Sequence, residues 1–192
     1  MMNRLVPLIL AILVYGCGGP SELPPLQGAR IGGPFALTGE DGQSVRDSRF
    51  AGSYRIVYFG YTFCPDVCPV DLRNLMLGLK AFEKIDEKRA GKIQPLFITV
   101  DPARDTPAIL TEYTDAFHPR LLGLTGTEAQ LEPVKKAFAV FASKGEDKGG
   151  GAYLVDHSRI AYLFGPKGEP IAILSHDGTP QEIADELDRW VQ

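Results

Sequence analysis

The sequence has few cysteines and histidines and no cluster of like charge. Its 192 residues include three cysteines and three histidines, and 24 acidic side chains exceed 20 basic ones, giving a net charge of −4. Proteins that bind nucleic acid usually present a clustered basic face, so we expect no nucleic-acid partner. The chain also has no internal repeat, no glycine-rich phosphate loop and no Ser/His/Asp spacing that stands out.

Long hydrophobic runs are also missing. The apolar run from Leu5 to Tyr15, preceded by Arg4, is too short to span a bilayer comfortably but suits the core of a signal peptide. It ends at Gly16-Cys17, and a small residue directly before a cysteine resembles a bacterial lipoprotein cleavage site. We therefore predict a lipoprotein-type signal peptide over residues 1–16 and a lipidated Cys17, with an uncleaved anchor or an ordinary signal peptide as alternatives.

This N-terminus predicts a protein on the periplasmic side of a bacterial membrane, held there by its lipid anchor. Residues 17–30 are rich in Gly, Pro and Ser and read as a flexible tether. Residues 31–192 then form one domain, and about 160 residues are enough to bury a full core. If Cys17 is lipidated, Cys64 and Cys68 remain, and outside the cytoplasm they will form a disulfide unless a reductant or a metal holds them.

The hydrophobic pattern of the domain alternates between strands and helices. Apolar and β-branched runs predict strands at Phe35–Thr38, Tyr54–Phe59, Pro95–Val100, Tyr153–Val155, Ile160–Phe164 and Ile171–Leu174. Helical spacing and capping residues predict helices over Asp71–Lys88, Thr106–Phe117 and Glu128–Phe138 and a last helix from Ile183 to Val191. A mobile loop is expected over Ser143–Gly151. The order predicts an α/β, thioredoxin-like fold with a central mixed β-sheet flanked by α-helices.

Cys64 and Cys68 lie where the strand Tyr54–Phe59 gives way to a helix, with Pro69 in the first helical turn. The free N–H groups of a helix N-terminus favour the thiolate, which both metal binding and disulfide exchange require. Redox thioredoxins have two residues between their cysteines and this chain has three. The wider loop can close a disulfide, inert or active, or let both sulfurs face one soft ion such as Cu(I).

Four segments together resemble the Sco/SenC family of copper chaperones for cytochrome c oxidase assembly, in that family's order. They are YFGYTFCPDVCP (Tyr58–Pro69), VDPARDTP (Val100–Pro107), LLGLTGT (Leu121–Thr127) and YLVDHS (Tyr153–Ser158). The resemblance implies a copper site formed by Cys64, Cys68 and His157, in which Cu(I) is held mainly by the thiolates and Cu(II) also by the imidazole. It implies delivery of copper to the binuclear copper site of the oxidase's copper-bearing subunit.

The residues alone do not distinguish His157 from His118 and His176. His118 reads as a cation near a helix C-terminus, and His176 as a capping or solvated residue in a turn. His157 follows the predicted mobile loop, which can fold over the dithiol. Asp156 can orient the His157 ring or simply begin a turn between two strands.

Three functions use this dithiol. The first is a metallochaperone rather than an enzyme, supplied by an unidentified donor, with another copper chaperone among the candidates. The second is a thiol–disulfide reductase that keeps the oxidase's copper-ligand cysteines reduced and depends on a thioredoxin-fold reductant. The third is a peroxidase, which needs an arginine such as Arg73 or Arg104 beside the thiolate. Asp101 and Asp105 read as turn and helix-start residues near the dithiol face.

Overall fold

The computed structural model describes residues 22–146, 149 and 152–192. In chain order its elements are β1 (Ala36–Gly39), β2 (Ser44–Arg46), a 3-10 turn (Asp47–Phe50), β3 (Tyr54–Gly60), α1 (Val67–Ile85), the single-turn α2 (Glu87–Ala90), β4 (Ile93–Thr99), α3 (Pro107–Asp115), β5 (Leu122–Thr125), α4 (Glu128–Ala137), β6 (Ala142–Lys144), β7 (Val155–His157), β8 (Ala161–Phe164), β9 (Pro170–Leu174) and α5 (Pro180–Trp190). The predicted alternation of strands and helices is confirmed.

Seven of these strands form one mixed sheet in the order β2-β1-β5-β4-β3-β8-β9. Strands β3, β4 and β5 run parallel, whereas β1 pairs antiparallel with β5 and β8 antiparallel with β3. All seven residues of β3 are buried. Since successive side chains of a strand point to opposite faces, both faces of the sheet must be covered at β3. The central mixed sheet flanked by helices is the fold class that the sequence predicts.

Two boundaries differ from the prediction in ways that matter for the site. Helix α1 begins at Val67, before the apolar stripe that starts at Asp71, so Cys68 is its second residue and Pro69 lies in its first turn, as expected. Strand β7 begins at Val155 rather than Tyr153 and ends at His157. It pairs with β6, which falls partly within the expected loop, and together they form a separate two-stranded sheet. Cross-strand pairing with the preceding segment, which periodicity does not reveal, sets this register.

The described part of the N-terminal segment contacts the domain. The Leu26 amide donates to the Ile171 carbonyl at 2.9 Å, and Leu26 packs against the core. The expected signal peptide and Cys17 lie outside the described residues, as does the first part of the expected tether. Among the described residues, no helix combines the length and the apolar character needed to cross a membrane.

Helices α1 and α5 approach each other at a glycine, and this contact generates a stability prediction. A Cβ atom added at Gly78 would lie 2.4 Å from Cγ2 and 2.5 Å from Cβ of Ile183, so the helices would have to separate. Alanine favours the helix by about 1 kcal/mol, but overpacking costs about 1–3 kcal/mol. We expect Gly78→Ala to lower the free energy of unfolding in urea by up to about 2 kcal/mol, the difference between these two effects.

The matched control removes the clash instead of the glycine. In an Ile183→Ala background the same Gly78→Ala change should be neutral or stabilising, because the obstructing side chain is gone. Equal destabilisation in both backgrounds would contradict the proposed contact.

Candidate metal centre

Helix α1 starts without a side-chain cap, and the Cys64 sulfur takes that place. Asp66 occupies the N-cap position but its side chain accepts no hydrogen bond there. Instead the Cys68 N–H points to the Cys64 sulfur at 3.5 Å. Burial raises the pKa of Cys64, but hydrogen bonds from the amides of Cys68, Asp66 and Val67 outweigh it and set the pKa below its ordinary value. The helix start therefore favours a Cys64 thiolate.

Cys68 lies deeper than Cys64 and has the opposite character. Its side chain is completely buried, whereas Cys64 is 9% exposed. Burial, with the neighbouring Cys64 sulfur, raises the pKa of the Cys68 thiol far above its ordinary value. A Cβ at Gly60, the last residue of β3, would lie 3.1 Å from the Cys68 sulfur, so a side chain there would press on this atom.

His157 reaches the dithiol from the end of β7. Its Nε2 lies 3.0 Å from the Cys68 sulfur, and its Nδ1 lies 3.0 Å from the Ser158 carbonyl oxygen. A carbonyl only accepts, so Nδ1 carries the proton. Burial lowers the pKa of the ring, which keeps it neutral and leaves the Nε2 lone pair facing the sulfur. The orienting partner is thus the Ser158 carbonyl rather than the exposed Asp156 carboxylate.

The three predicted ligands meet in space. The sulfurs of Cys64 and Cys68 and a ring nitrogen of His157 all lie within 4.8 Å of one another, and neither cysteine forms a disulfide. Two soft sulfur donors and one imidazole suit a soft or borderline ion such as copper. The Tyr61 ring meets the His157 ring edge-on, with centroids 5.8 Å apart, and the Tyr61 hydroxyl accepts the Val155 N–H at 3.2 Å.

The two aspartates after β4 support neighbouring segments. The buried Asp105 carboxylate accepts from the Thr62 amide at 3.1 Å and from the Thr62 hydroxyl at 2.6 Å, two residues before Cys64. Asp101 accepts from the Tyr153 hydroxyl at 2.7 Å and from Arg104. The Arg104 guanidinium lies over the Tyr153 ring, 3.6 Å from its centroid. Asp101 and Arg104 thus tie the loop after β4 to the segment that leads into β7.

The other two histidines are buried elsewhere, which corrects both sequence interpretations. His118 is 2% exposed, and its Nδ1 accepts the Arg120 N–H at 3.1 Å, so its ring is neutral and not the cation expected near a helix C-terminus. His176 is also buried; its Nε2 donates to the Arg159 carbonyl at 2.7 Å, and its ring meets Tyr58 edge-on. Among the described residues, neither histidine joins the group formed by Cys64 and Cys68.

Comparison with known proteins identifies the family. The family described as SCO1/SenC matches residues 24–192. This chain belongs to the SCO1/SenC family. It is 42% identical to protein SenC of Rhodobacter capsulatus over 159 residues, which cover 83% of this chain and 70% of SenC. It is 41% identical to mitochondrial protein SCO2 of Saccharomyces cerevisiae over 163 residues, which cover 84% of this chain and 53% of SCO2.

The fold matches solved SCO1/SenC structures as well. The structure of Bradyrhizobium japonicum ScoI with copper bound matches with a TM-score of 0.76 and 39% identity, covering 84% of this chain and 99% of that chain. The thioredoxin-like fold predicted for this chain is therefore confirmed. The chain spans about half the length of the yeast relative, and the matched relatives include bacterial and mitochondrial proteins.

Sequence reasoning missed several residues that build the site. Asp71 is 1% exposed and accepts from the Tyr58 hydroxyl at 2.9 Å and from Arg159 through both carboxylate oxygens. In the sequence, Asp71 stands out only as an acidic residue on the apolar face of α1, one turn after Cys68. A buried carboxylate of this kind usually has a charged or hydrogen-bonding partner. The roles of Arg159 and Tyr61 could not be predicted from the sequence, because their contacts join chain segments that are far apart in sequence.

The environment of His118 predicts an acid-sensitive stability. Burial lowers the pKa of His118, an effect only partly offset by Glu83, whose carboxylate lies 3.3 Å from its Nε2. Lys80 and Arg120 lower it further. The unfolded chain therefore binds this proton at higher pH than the folded one, and stability is lost as pH falls below about 6.5.

We expect His118→Asn to flatten the fall in unfolding free energy below about pH 6.5, measured by urea titration at several pH values. His157 contributes in the same direction but is present in both proteins, so it cancels in the comparison. Parallel pH profiles for the variant and the wild type would contradict the assignment of a neutral, buried His118.

Proposed function

We propose that this protein is an extracytoplasmic copper chaperone that binds copper through Cys64, Cys68 and His157 and delivers it to the binuclear copper site of cytochrome c oxidase. The observation that carries the proposal is the meeting of these three donor atoms within 4.8 Å. It is supported by the copper-bound structure of ScoI, to which the chain is 39% identical. A further Sco protein with the same fold is described as belonging to a family of cytochrome c oxidase assembly proteins.

The donor set suits a cargo that changes oxidation state. Cu(I) is soft, and the two thiolates satisfy it; Cu(II) gains from an imidazole nitrogen. His157 is neutral and presents Nε2 toward the dithiol, so it can join the site without first losing a proton. Cys68 must give up its proton, so copper uptake releases a proton from the deeper thiol.

Location enters the proposal through the N-terminal sequence. We infer a lipid anchor at Cys17 that holds the domain on the periplasmic side of a bacterial membrane. Gly16-Cys17 after a short apolar run supports it. The anchor would keep the copper site close to a membrane-bound oxidase, and the segment up to residue 30 would set its reach.

A thiol–disulfide reductase is the second candidate, and the asymmetry of the two cysteines favours it. The more exposed Cys64 thiolate can attack a partner disulfide, forming a mixed disulfide and releasing one partner thiolate. Cys68 then passes its proton to His157 Nε2, 3.0 Å away, and attacks the Cys64 sulfur. The second partner thiolate leaves, and Cys64 and Cys68 end as a disulfide that a thioredoxin-fold reductant must reduce with two electrons.

The two candidates are separated by measuring both activities on one preparation. A chaperone binds one copper per reduced protein and reduces protein disulfides slowly. A reductase turns over a disulfide substrate at a rate that bound copper inhibits, because the same sulfurs are engaged.

Substitution of the ligands should separate the two copper oxidation states. Cys64→Ser and Cys68→Ser should each weaken Cu(I) binding by more than the roughly 10- to 100-fold cost of losing an outer-shell partner. His157→Ala should weaken Cu(II) binding more than Cu(I) binding, because two thiolates satisfy Cu(I). The measurements are competition titrations with a Cu(I) chelator and the sulfur-to-copper charge-transfer band of the Cu(II) form.

The matched control is Cys17→Ser, which removes the remaining cysteine of the chain and should leave copper affinity unchanged. Tight Cu(I) binding that survives either Cys64→Ser or Cys68→Ser would refute the proposed site. An unaltered Cu(II) spectrum in His157→Ala would remove the histidine from it.

Lipidation is tested separately. Cells expressing the wild type and fed a tagged fatty acid should yield a labelled protein in the membrane fraction, because Cys17 is its proposed acyl acceptor. Cys17→Ser should be unlabelled, whereas Cys64→Ser should be labelled normally. Label on the Cys17→Ser protein would contradict acylation at this residue, and an unlabelled wild type would favour an uncleaved anchor.

A further inference from the structure

An ion pair between the buried Asp71 carboxylate and the guanidinium of Arg159, whose side chain is 39% exposed, links the two parts of the chain that carry the candidate ligands. The Arg159 Nε donates to Asp71 Oδ2 at 2.9 Å, and its Nη2 donates to Asp71 Oδ1 at 2.6 Å. Both carboxylate oxygens are thus engaged in a bidentate fork, and Oδ2 also accepts the Tyr58 hydroxyl. Charge-assisted, bidentate pairs of this kind are the strongest and most directional hydrogen bonds a protein forms.

The positions of the two residues give the pair its significance. Asp71 lies three residues after Cys68 on α1 and therefore on the same side of the helix. Arg159 lies two residues after His157, in the connection between β7 and β8. The ion pair thus joins the helix that carries Cys68 to the segment that carries His157.

The segment around His157 needs such an anchor. It ends a two-stranded sheet formed by β6 and β7 alone, and an isolated two-stranded ribbon is marginally stable. Ser158 exchanges two hydrogen bonds with Phe141, the residue before β6: its N–H donates to the Phe141 carbonyl, and its hydroxyl accepts the Phe141 N–H at 3.0 Å. These contacts hold the hairpin together but do not attach it to α1.

Arg159 supplies the attachment on both its side chain and its backbone. Its guanidinium binds Asp71, and its carbonyl accepts His176 Nε2 at 2.7 Å. The preceding residue, Ser158, provides the carbonyl that orients the His157 ring. Fixing Arg159 therefore fixes, one residue away, the group that aims His157 Nε2 at the Cys68 sulfur.

We propose that Asp71 and Arg159 are positioning residues that hold His157 against the dithiol. The inference rests on the proposed copper site and deepens it. The outer partner of Arg159, Asp177, is largely exposed and adds little to the anchor, because an exposed ion pair is screened by solvent. It provides a matched control.

The experiment compares two variants that remove the anchor in different ways, in the full chain in detergent. Arg159→Gln removes the guanidinium but leaves the Asp71 charge buried. The double variant Asp71→Asn/Arg159→Ala removes both charges and keeps an acceptor for Tyr58, which avoids an unpaired buried carboxylate. Both should lower Cu(II) affinity about tenfold and shift the charge-transfer band toward that of His157→Ala. Neither should change Cu(I) affinity, which depends on the thiolates.

The outcomes that would overturn the proposal are distinct. A wild-type Cu(II) spectrum and affinity in both variants would mean that the pair does not position His157. An equal loss of Cu(I) and Cu(II) affinity would mean that it supports only the helix. A loss in Arg159→Gln but not in the double variant would assign the effect to the unpaired Asp71 charge. Asp177→Asn should behave as the wild type, and a tenfold loss there would also count against the proposal.

A second measurement needs no copper and keeps the two proposals separable. The His157 and Tyr61 rings lie 5.8 Å apart in the copper-free protein, so their protons should give a nuclear Overhauser contact. That contact should vanish in Arg159→Gln and persist in Asp177→Asn. If the wild type bound no copper but the contact behaved in this way, the proposed function would fail while the anchor stood; a contact unchanged in Arg159→Gln would refute the anchor itself.

Discussion

The amides at the start of α1 need an acceptor, and the Cys64 sulfur provides it. Because the Asp66 side chain accepts no hydrogen bond there, the chain between β3 and α1 must fold back so that this sulfur faces the Cys68 N–H. That requirement fixes one sulfur at the helix start and leaves the other inside the first turn, beneath the end of β3. Cys68 is therefore completely buried beside Gly60, whereas Cys64 is 9% exposed, and this difference in depth underlies the contrast between the two thiols. The hydrogen bond that caps the helix thus also positions a candidate metal ligand.

That constraint does not fix the position of the His157 imidazole, because His157 lies on a different part of the fold. The β6–β7 ribbon forms a sheet separate from the main one, and contacts with Tyr61, Arg104 and Asp71 tie it to the neighbourhood of the dithiol. Tyr61 accepts from Val155, Arg104 lies over Tyr153, and Arg159 binds Asp71. In each contact, one partner lies on or beside a segment that also shapes the loop carrying the cysteines. The candidate site is therefore formed by the cysteines at the start of α1 and by His157 on the attached ribbon, and these contacts decide whether His157 lies beside the dithiol.

A feature of this structure could be predicted from the sequence where it depends on neighbouring residues, and not where it depends on residues far apart in the chain. The central strands and the long helices carry unbroken apolar patterns, so β3, β4 and the stripe on α1 could be predicted. The cysteines could be placed because a strand-to-helix junction is a local pattern. The register of β7 could not, since it depends on pairing Ala142 with His157 across a glycine-rich segment. Burial of His118 and His176 was equally hidden, because each contacts a residue distant in the chain, His118 with Glu83 and His176 with Arg159.

Copper and a disulfide make opposing demands on the same two sulfurs. A disulfide requires them to close to about 2.05 Å, whereas a shared ion needs them to remain apart and ionised. The helix-start amides favour the Cys64 thiolate in either case, and His157 Nε2 is available both as a ligand and as the acceptor of the Cys68 proton. The groups around the two sulfurs thus favour neither copper binding nor disulfide formation. The choice falls to the redox supply of the compartment, and a chaperone that works outside the cytoplasm must depend on a reductant to present a dithiol that copper can enter.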